Sequence, residues 1–171
     1  MDSVTTSELA ATVAVLGYVG LVFAAGISDI LTMTVPNRFS AAIILLYPSY
    51  VLSSSAPVDW QGAILIAFGA TVFGFVLYAL GVWGGGDAKL LGAAALWAGP
   101  NWILEFTVFT TLAGGVITIF VCLQHYLPHA YTTGFFRYRD ALPRLRGTPI
   151  PYGAAIAVSA LYGAFTLLKV S

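Results

Sequence analysis

The chain has very little charge, a single cysteine and only two histidines. Only 8% of its 171 residues are charged, whereas soluble domains carry about 25%. Seven basic residues balance seven acidic ones, so no basic surface predicts nucleic acid as a partner. One cysteine, Cys122, excludes an intrachain disulfide and a Cys-x-x-Cys metal site. His125 and His129 flank Pro128, which predicts a helix end and interfacial histidines. We therefore expect neither a metal nor a cofactor.

Apolar residues make up 59% of the chain and recur in long runs. This pattern predicts an all-α integral membrane protein, surrounded by lipid and formed by a single domain over residues 1–171. The predicted spans are 9–27, 39–52, 62–82, 88–98, 102–127 and 151–168. The second and fourth are shorter than the roughly 20 residues of a perpendicular span. A polar loop is predicted over residues 128–149.

The basic residues predict six transmembrane helices with both termini outside. If all six segments span, six of the seven basic residues share one face. They are Arg38, Lys89, Arg137, Arg139, Arg144 and Arg146. Cytoplasmic connections carry an excess of Lys and Arg, so this face is predicted to be cytoplasmic. Without a fourth span the arginine-rich loop would move outside and divide the basic residues between the two faces.

Two aspartates, Asp29 and Asp87, lie at this predicted cytoplasmic boundary. A carboxylate in so apolar a chain must be exposed, paired or used in chemistry, because burying it alone is costly. Each has an ordinary interpretation when taken singly. Asp29 can be an interfacial residue before a Pro-Asn turn, and Asp87 can cap a helix after a glycine hinge. Although far apart in sequence, the two side chains meet if their helices pack together.

Three motifs occur in order along the chain. Asp29 precedes Pro36-Asn37, a Gly-x-Gly-Asp-x-Lys segment covers 84–89, and Pro151-Tyr152-Gly153 begins the last span. Together they resemble the type IV prepilin peptidases, intramembrane aspartic proteases of the Gly-x-Gly-Asp class. The resemblance implies that Asp29 and Asp87 are catalytic. The supporting residues that it implies are Gly84, Gly86, Lys89, Pro36, Asn37, Pro151, Tyr152 and Gly153.

The same resemblance implies a substrate and a location. Family members cleave the short, basic, cytoplasmic leader of prepilins or pseudopilins, just before an apolar helix, at the cell (inner) membrane. The longer bacterial members also carry a cytoplasmic insert with paired Cys-x-x-Cys motifs and N-methylate the new terminus. This chain has one cysteine and only a short 29–38 connection at the corresponding place. It therefore resembles the peptidase-only form that is associated with tight-adherence (Flp) pili.

Other functions stay open at this point. An archaeal preflagellin peptidase is the alternative within the same chemistry. A small proton-coupled transporter would also use aspartates at a membrane boundary. A pilus assembly subunit would need neither Asp29 nor Asp87. The particular substrate, the residues that recognise its leader and the oligomeric state do not follow from the sequence.

The predicted helix ends suggest unequal roles for the two carboxyl groups. Asp29 ends a helix, where the dipole disfavours negative charge, so it is predicted to be the acid. Asp87 begins a helix, where the dipole favours negative charge, so it is predicted to be the base. The amide groups of Gly84–Gly86 are predicted to bind the substrate backbone, because glycines allow close approach of another chain.

Overall fold

The structure is all-helical over the residues that it describes. It is a computed structural model covering residues 6–133 and 151–170, without the side chains of 124–133, 165, 166 and 168–170. The helices are α1 (Thr6–Thr32), α2 (Asn37–Ser53), α3 (Trp60–Ala79), α4 (Gly85–Thr133) and α5 (Tyr152–Val170). Three segments are long and apolar enough to cross a membrane: Thr6–Thr32, Trp60–Ala79 and Gly85–Leu123. The predicted all-α membrane protein is thereby confirmed, while the six-span topology stays a prediction.

Helix α4 reverses direction at Gly99. This residue has φ 56° and ψ −172°, a backbone conformation that glycine adopts most easily. The Trp83 and Tyr152 rings lie 5.3 Å apart, and a Cβ atom on Gly114 would lie 3.7 Å from the Tyr152 ring. Residue 114 is therefore beside the start of α4. The first limb of α4 (85–98) and its second limb (100–133) consequently run antiparallel, as two separate apolar segments.

Several helices end at other residues than the predicted segments do, and α1 continues to Thr32 rather than ending at 27. Pro128 does not end a helix, because α4 continues to Thr133. A proline removes one backbone hydrogen bond from a helix, and the helix persists on the others. The third segment ends at Ala79 rather than at 82, because a turn containing Gly81 at φ 72° follows it. Residues 134–149 of the predicted loop, with its four arginines, lie outside the described residues.

A cluster of aromatic rings joins α1, α2 and the first limb of α4. The Trp97 ring stacks on Tyr18 with ring centroids 4.3 Å apart, and its indole N–H donates to the Ile43 carbonyl at 3.0 Å. Tyr47 and Tyr50 of α2 pack against the same indole. Trp97 is 3% exposed, so this contact belongs to the core of the bundle.

Glycines let two helix pairs approach closely. A Cβ atom on Gly26 of α1 would lie 2.7 Å from the Ala157 Cβ of α5. A Cβ atom on Gly74 of α3 would lie 2.9 Å from the Ala88 Cα of α4. Both distances are too short for a side chain, and small residues commonly form such contacts between membrane helices. The two close contacts are one turn or less from Asp29 and Asp87.

Candidate active site

Asp29 lies in the last turns of α1 and faces the start of α5. Gly26, three residues earlier on the same face of α1, brings the two helices together. The Ala154 N–H donates to Asp29 Oδ2 at 3.3 Å, and the Gly153 backbone also donates to this carboxylate. Asp29 is 3% exposed. The carboxylate is thus buried and held by backbone groups that α5 leaves without helical partners.

Asp87 is the third residue of α4 and turns back towards the residue before the helix. Its carboxylate accepts hydrogen bonds from the backbone of Gly84 and of Gly153. A side chain at the third position that binds the N–H before the first turn is the acidic half of a capping box. Asp87 is 6% exposed. The residue therefore both caps α4 and points into the protein.

Gly153 brings the two carboxylates together. Its backbone binds both Asp29 and Asp87, and the two side chains interact electrostatically. A Cβ atom on Gly153 would lie 2.8 Å from Asp29 Oδ2, so the contact requires glycine. The structure places three residues of three separate predicted motifs at one point, where α1, α4 and α5 meet.

The connection between α1 and α2 is folded back on the end of α1. Met33 adopts φ 52°, and its N–H donates to the Asp29 carbonyl at 2.8 Å, a left-handed helix ending. Thr32 Oγ1 donates to the Ser28 carbonyl at 2.7 Å and lies 2.8 Å from Thr34 Oγ1. Ser28 Oγ in turn donates to the Thr34 carbonyl at 3.1 Å. These hydroxyl groups fix the position of the next residue, Val35.

Val35 packs between the two glycine segments of the site. A Cβ atom on Gly86 would lie 2.7 Å from the Val35 carbonyl oxygen, and one on Gly153 would lie 2.9 Å from Val35 Cγ2. Val35 is 7% exposed. Gly86 therefore allows the 33–36 connection of the protein itself to approach closely. Gly84 is exposed, so its surface is accessible to a substrate.

Three further motif residues tie the connection to α4. Pro36 precedes α2 with φ −59° and ψ 136°, and no side chain caps that helix. The Asn37 side chain instead accepts a hydrogen bond from Lys89 Nζ at 2.9 Å through its Oδ1. Both side chains are exposed. The Lys89–Asn37 contact joins the start of α2 to the second turn of α4, beside Asp87.

Pro151 and Tyr152 form the entrance to α5. Pro151 is buried, and Tyr152 is the first residue of the helix. The Tyr152 ring packs on Trp83 at 5.3 Å between ring centroids. This aromatic pair links the start of α5 to the segment that precedes α4. All the predicted site residues therefore surround the two aspartates or the connection beside them.

Three residues of the site do not follow from the sequence motifs. Val35 contacts Gly86 and Gly153, the Ala154 N–H binds Asp29, and Gly26 permits the approach of α5. Of these three residues, only Gly26 could have been found from the sequence, because it lies three residues before Asp29 and therefore on the same helix face. Val35 and Ala154 act through contacts between distant segments, which local sequence patterns do not indicate.

The helix ends do not separate the roles of the two carboxyl groups as simply as the sequence suggests. Asp29 lies at the end of α1, which disfavours its charged form, and at the start of α5, which favours it. Asp87 lies at the start of α4. Both carboxylates accept backbone N–H groups. The dipoles of α1 and α5 thus act on Asp29 in opposite directions. The assignment of Asp29 as the acid stays a prediction, with less support from the helix ends than the sequence suggests.

Fold and site define a helical membrane protein with a buried pair of carboxyl groups. The chain belongs to the type IV leader peptidase family, whose sequence profile matches residues 16–119, more than half of its length. The match includes both aspartates and Lys89 and ends before Pro151. No curated protein and no solved structure is significantly similar to the chain. Family membership implies a membrane peptidase that acts on leader peptides, with prepilins as the general substrate class.

Two adjacent glycines give a matched test of the Val35 contact. In Gly86→Ala the new methyl group would meet the Val35 carbonyl at 2.7 Å, whereas in Gly85→Ala it would lie 3.5 Å from the Tyr78 ring, an ordinary contact. We expect Gly86→Ala to lower leader cleavage by about 100-fold, because displacement of a site by about 1 Å has that effect. Gly85→Ala should keep its activity. Cleavage rates at equal amounts of inserted protein measure the difference; equal activity of the two variants would contradict a role of this contact.

Proposed function

We propose that the protein is an aspartic endopeptidase that cleaves the leader from Flp-type prepilins or pseudopilins and does not methylate the product. The observation that carries this proposal is the meeting of Asp29 and Asp87, both nearly fully buried, around the Gly153 backbone. In the proposed topology six helices span the cell (inner) membrane, both termini lie outside, and the aspartates face the cytoplasm.

The proposed reaction uses the two carboxyl groups as a pair that shares one proton. Two adjacent carboxylates do not both ionise easily, so one holds a proton while the other is charged. The charged group takes a proton from water as the water oxygen attacks the scissile carbonyl carbon. The protonated group donates to the carbonyl oxygen. As the C–N bond breaks, the proton taken from water passes to the leaving amine, and the hydroxyl formed at the carbonyl returns its proton to the other carboxylate. The Asp29-acid and Asp87-base assignment is retained as a hypothesis, with the titration belonging to the pair.

Backbone groups supply the fixed environment that this chemistry needs. The N–H groups of Gly84, Gly153 and Ala154 point at the carboxylates, so their orientation is set before substrate binds. Preorganised dipoles of this kind stabilise developing charge without reorganisation during the reaction. Among the described residues, no other buried acidic side chain accompanies Asp29 and Asp87. A proton relay across the membrane would need such groups, and this favours hydrolysis over transport.

The form without a methyltransferase insert is supported by the 33–36 connection. Its backbone is closed by the Ser28, Thr32 and Thr34 hydroxyl groups, and Val35 packs against the two site glycines. The connection thereby forms part of the peptidase site itself. The single cysteine also excludes a paired Cys-x-x-Cys site in this chain.

Co-expression with a Flp-type prepilin tests the proposed function. We expect the pilin to lose its leader only when the peptidase is present, and intact-mass spectrometry to show an unmethylated new N-terminus. A prepilin with a substituted residue on the amino-terminal side of the scissile bond serves as the substrate control. An unprocessed pilin at normal peptidase levels would contradict the Flp assignment, and a mass increase of one methyl group would contradict the peptidase-only form.

A further inference from the structure

A long apolar groove lies between α3 and the second limb of α4. It has a volume of about 850 Å³. Residues 103–119 of the second limb line it, which corresponds to roughly 24 Å of helix at 1.5 Å per residue. The hydrocarbon core of a bilayer is about 30 Å thick, so the groove extends over most of a span. Its margins are open to the surroundings, since Phe73 is 57% exposed and Ile119 is 61% exposed.

Small residues contribute to both walls of this groove, beside larger apolar side chains such as Phe73 and Phe106. Gly69 and Ala70 line it from α3. The second limb lines it with a stripe at helical spacing: Thr107, Thr110, Thr111, Gly114, Gly115 and Thr118. Small residues of this kind allow another helix to approach closely in a membrane, where packing rather than water drives association. The shape of the groove therefore fits one face of an apolar helix.

One hydroxyl group of the stripe, that of Thr110, has no hydrogen-bond partner within the described part of the chain. Thr107, Thr111 and Thr118 each donate to the carbonyl four residues earlier in their own helix. Thr110 is 9% exposed, and its Oγ1 makes no hydrogen bond to any residue that the structure describes. A buried hydroxyl group without a partner is unfavourable, and in membranes such groups commonly bond to a neighbouring helix. Thr110 thus lines the groove and carries a buried donor, which must rotate out of its present position to bond an occupant.

The groove continues to the site of the two aspartates. At one end it is lined by Trp83 and Tyr152. The residue after Tyr152 is Gly153, whose backbone binds both carboxylates. The lining residues include no charged side chain, so they offer no cation to a phospholipid headgroup. The Tyr152 end of the groove is therefore one residue along the chain from the backbone group that contacts Asp29 and Asp87.

We propose that this groove binds the apolar transmembrane helix of the substrate and presents the peptide bond before that helix to the aspartates. The inference rests on the proposed peptidase function. It assigns substrate binding to α3 and the second limb of α4, whereas the carboxylates come from α1 and the first limb. The helix of the substrate and its scissile bond are then held by different helices of the protein. These two parts of the protein meet at Tyr152.

Two glycines on opposite walls allow the groove to be filled without straining the fold. A Cβ atom on Gly69 or on Gly115 would meet no atom within 4 Å. Gly20 on α1 is equally open but does not line the groove, so Gly20→Phe is the matched control. Each variant is reconstituted in phosphatidylcholine vesicles. Cleavage is measured for a full-length prepilin and for a soluble peptide that ends shortly after the scissile bond.

We expect Gly69→Phe and Gly115→Phe to lower the ratio of full-length to peptide cleavage by about tenfold or more, through KM, while Gly20→Phe leaves the ratio unchanged. Thr110→Val should lower the same ratio more than Thr111→Val, whose hydroxyl is already bonded. If the wild type cleaves both substrates and the groove variants keep its ratio, the groove inference is wrong and the peptidase stands. If the wild type cleaves neither, the proposed function fails.

A photoreactive residue at position 111 or 112 identifies the occupant directly. Thr111 lines the groove, whereas Leu112 is its exposed neighbour outside the lining. In an Asp87→Asn background, in which cleavage is expected to be lost, we expect crosslinking to the prepilin helix from position 111 and much less from 112. Crosslinks from position 111 only to lipid, or only to a second copy of the peptidase, would overturn the proposal.

Discussion

Asp29→Asn and Asp87→Asn should each abolish leader cleavage. Asparagine keeps the shape of the side chain but neither accepts a proton from water nor donates one as an acid. Loss of a positioned acid or base lowers rates by about 10²–10⁴-fold, and each half of this pair needs the other. Because an amide is neutral, neither change places an extra charge in the buried site. We therefore expect normal insertion and levels, measured by immunoblot beside the mobility shift of a co-expressed prepilin.

Asp59→Asn is the matched control for both changes. Asp59 precedes α3, and its side chain accepts a hydrogen bond from the Gly62 N–H at 2.9 Å. It is exposed and contributes to a helix cap rather than to the buried pair. Asparagine is also a good cap, so stability should change little. Processing that survives either Asp29→Asn or Asp87→Asn would exclude the proposed mechanism.

Gly153→Ala should inactivate the enzyme while leaving the helices in place. A methyl group here would lie 2.8 Å from Asp29 Oδ2 and 2.9 Å from Val35 Cγ2. The carboxylate that α5 binds must then move, and displacements of about 1 Å lower rates by about 100-fold. The principal effect should fall on kcat, because the change disturbs the reacting groups rather than the groove.

Gly163→Ala provides the comparison on the same helix. A methyl group at Gly163 would meet no atom within 4 Å. Alanine is favoured over glycine within helices by about 0.5–1 kcal/mol, so this variant should be as stable as the wild type or slightly more. Cleavage rates and thermal unfolding of both proteins, purified in detergent, separate loss of activity from loss of fold. Full activity of Gly153→Ala would show that the contact with Asp29 is dispensable.

The sequence predicts the elements of this protein better than their contacts. Scarce charge in an apolar chain marks Asp29 and Asp87, and the separate predicted spans 88–98 and 102–127 anticipate the reversal of α4 at Gly99. Pro128 misleads because a helix tolerates one proline when its other bonds persist. The position of Asp29 against the first amides of α5 depends on packing between segments far apart in sequence. Neither periodicity nor local propensity carries that information.

Glycines, which have no side chain, determine where the two aspartates lie more than any particular side chain does. Gly26 sets the distance between α1 and α5, Gly74 sets the distance between α3 and α4, and Gly153 admits both carboxylates. Each of these contacts is possible only because the glycine leaves a space that one methyl group would fill. A glycine has no chemistry of its own, so its role becomes visible only when its neighbours are known.

Trp97 provides an internal optical probe of the bundle. Its indole is stacked on Tyr18 and hydrogen-bonded to the Ile43 carbonyl, and it therefore reports on three helices at once. The other three tryptophans, Trp60, Trp83 and Trp102, are more exposed. Their replacement by phenylalanine leaves a protein with a single tryptophan, which can be excited at wavelengths where the tyrosines do not absorb. The emission wavelength of that protein distinguishes an inactive but assembled peptidase from one whose helices have separated, in detergent and in lipid alike.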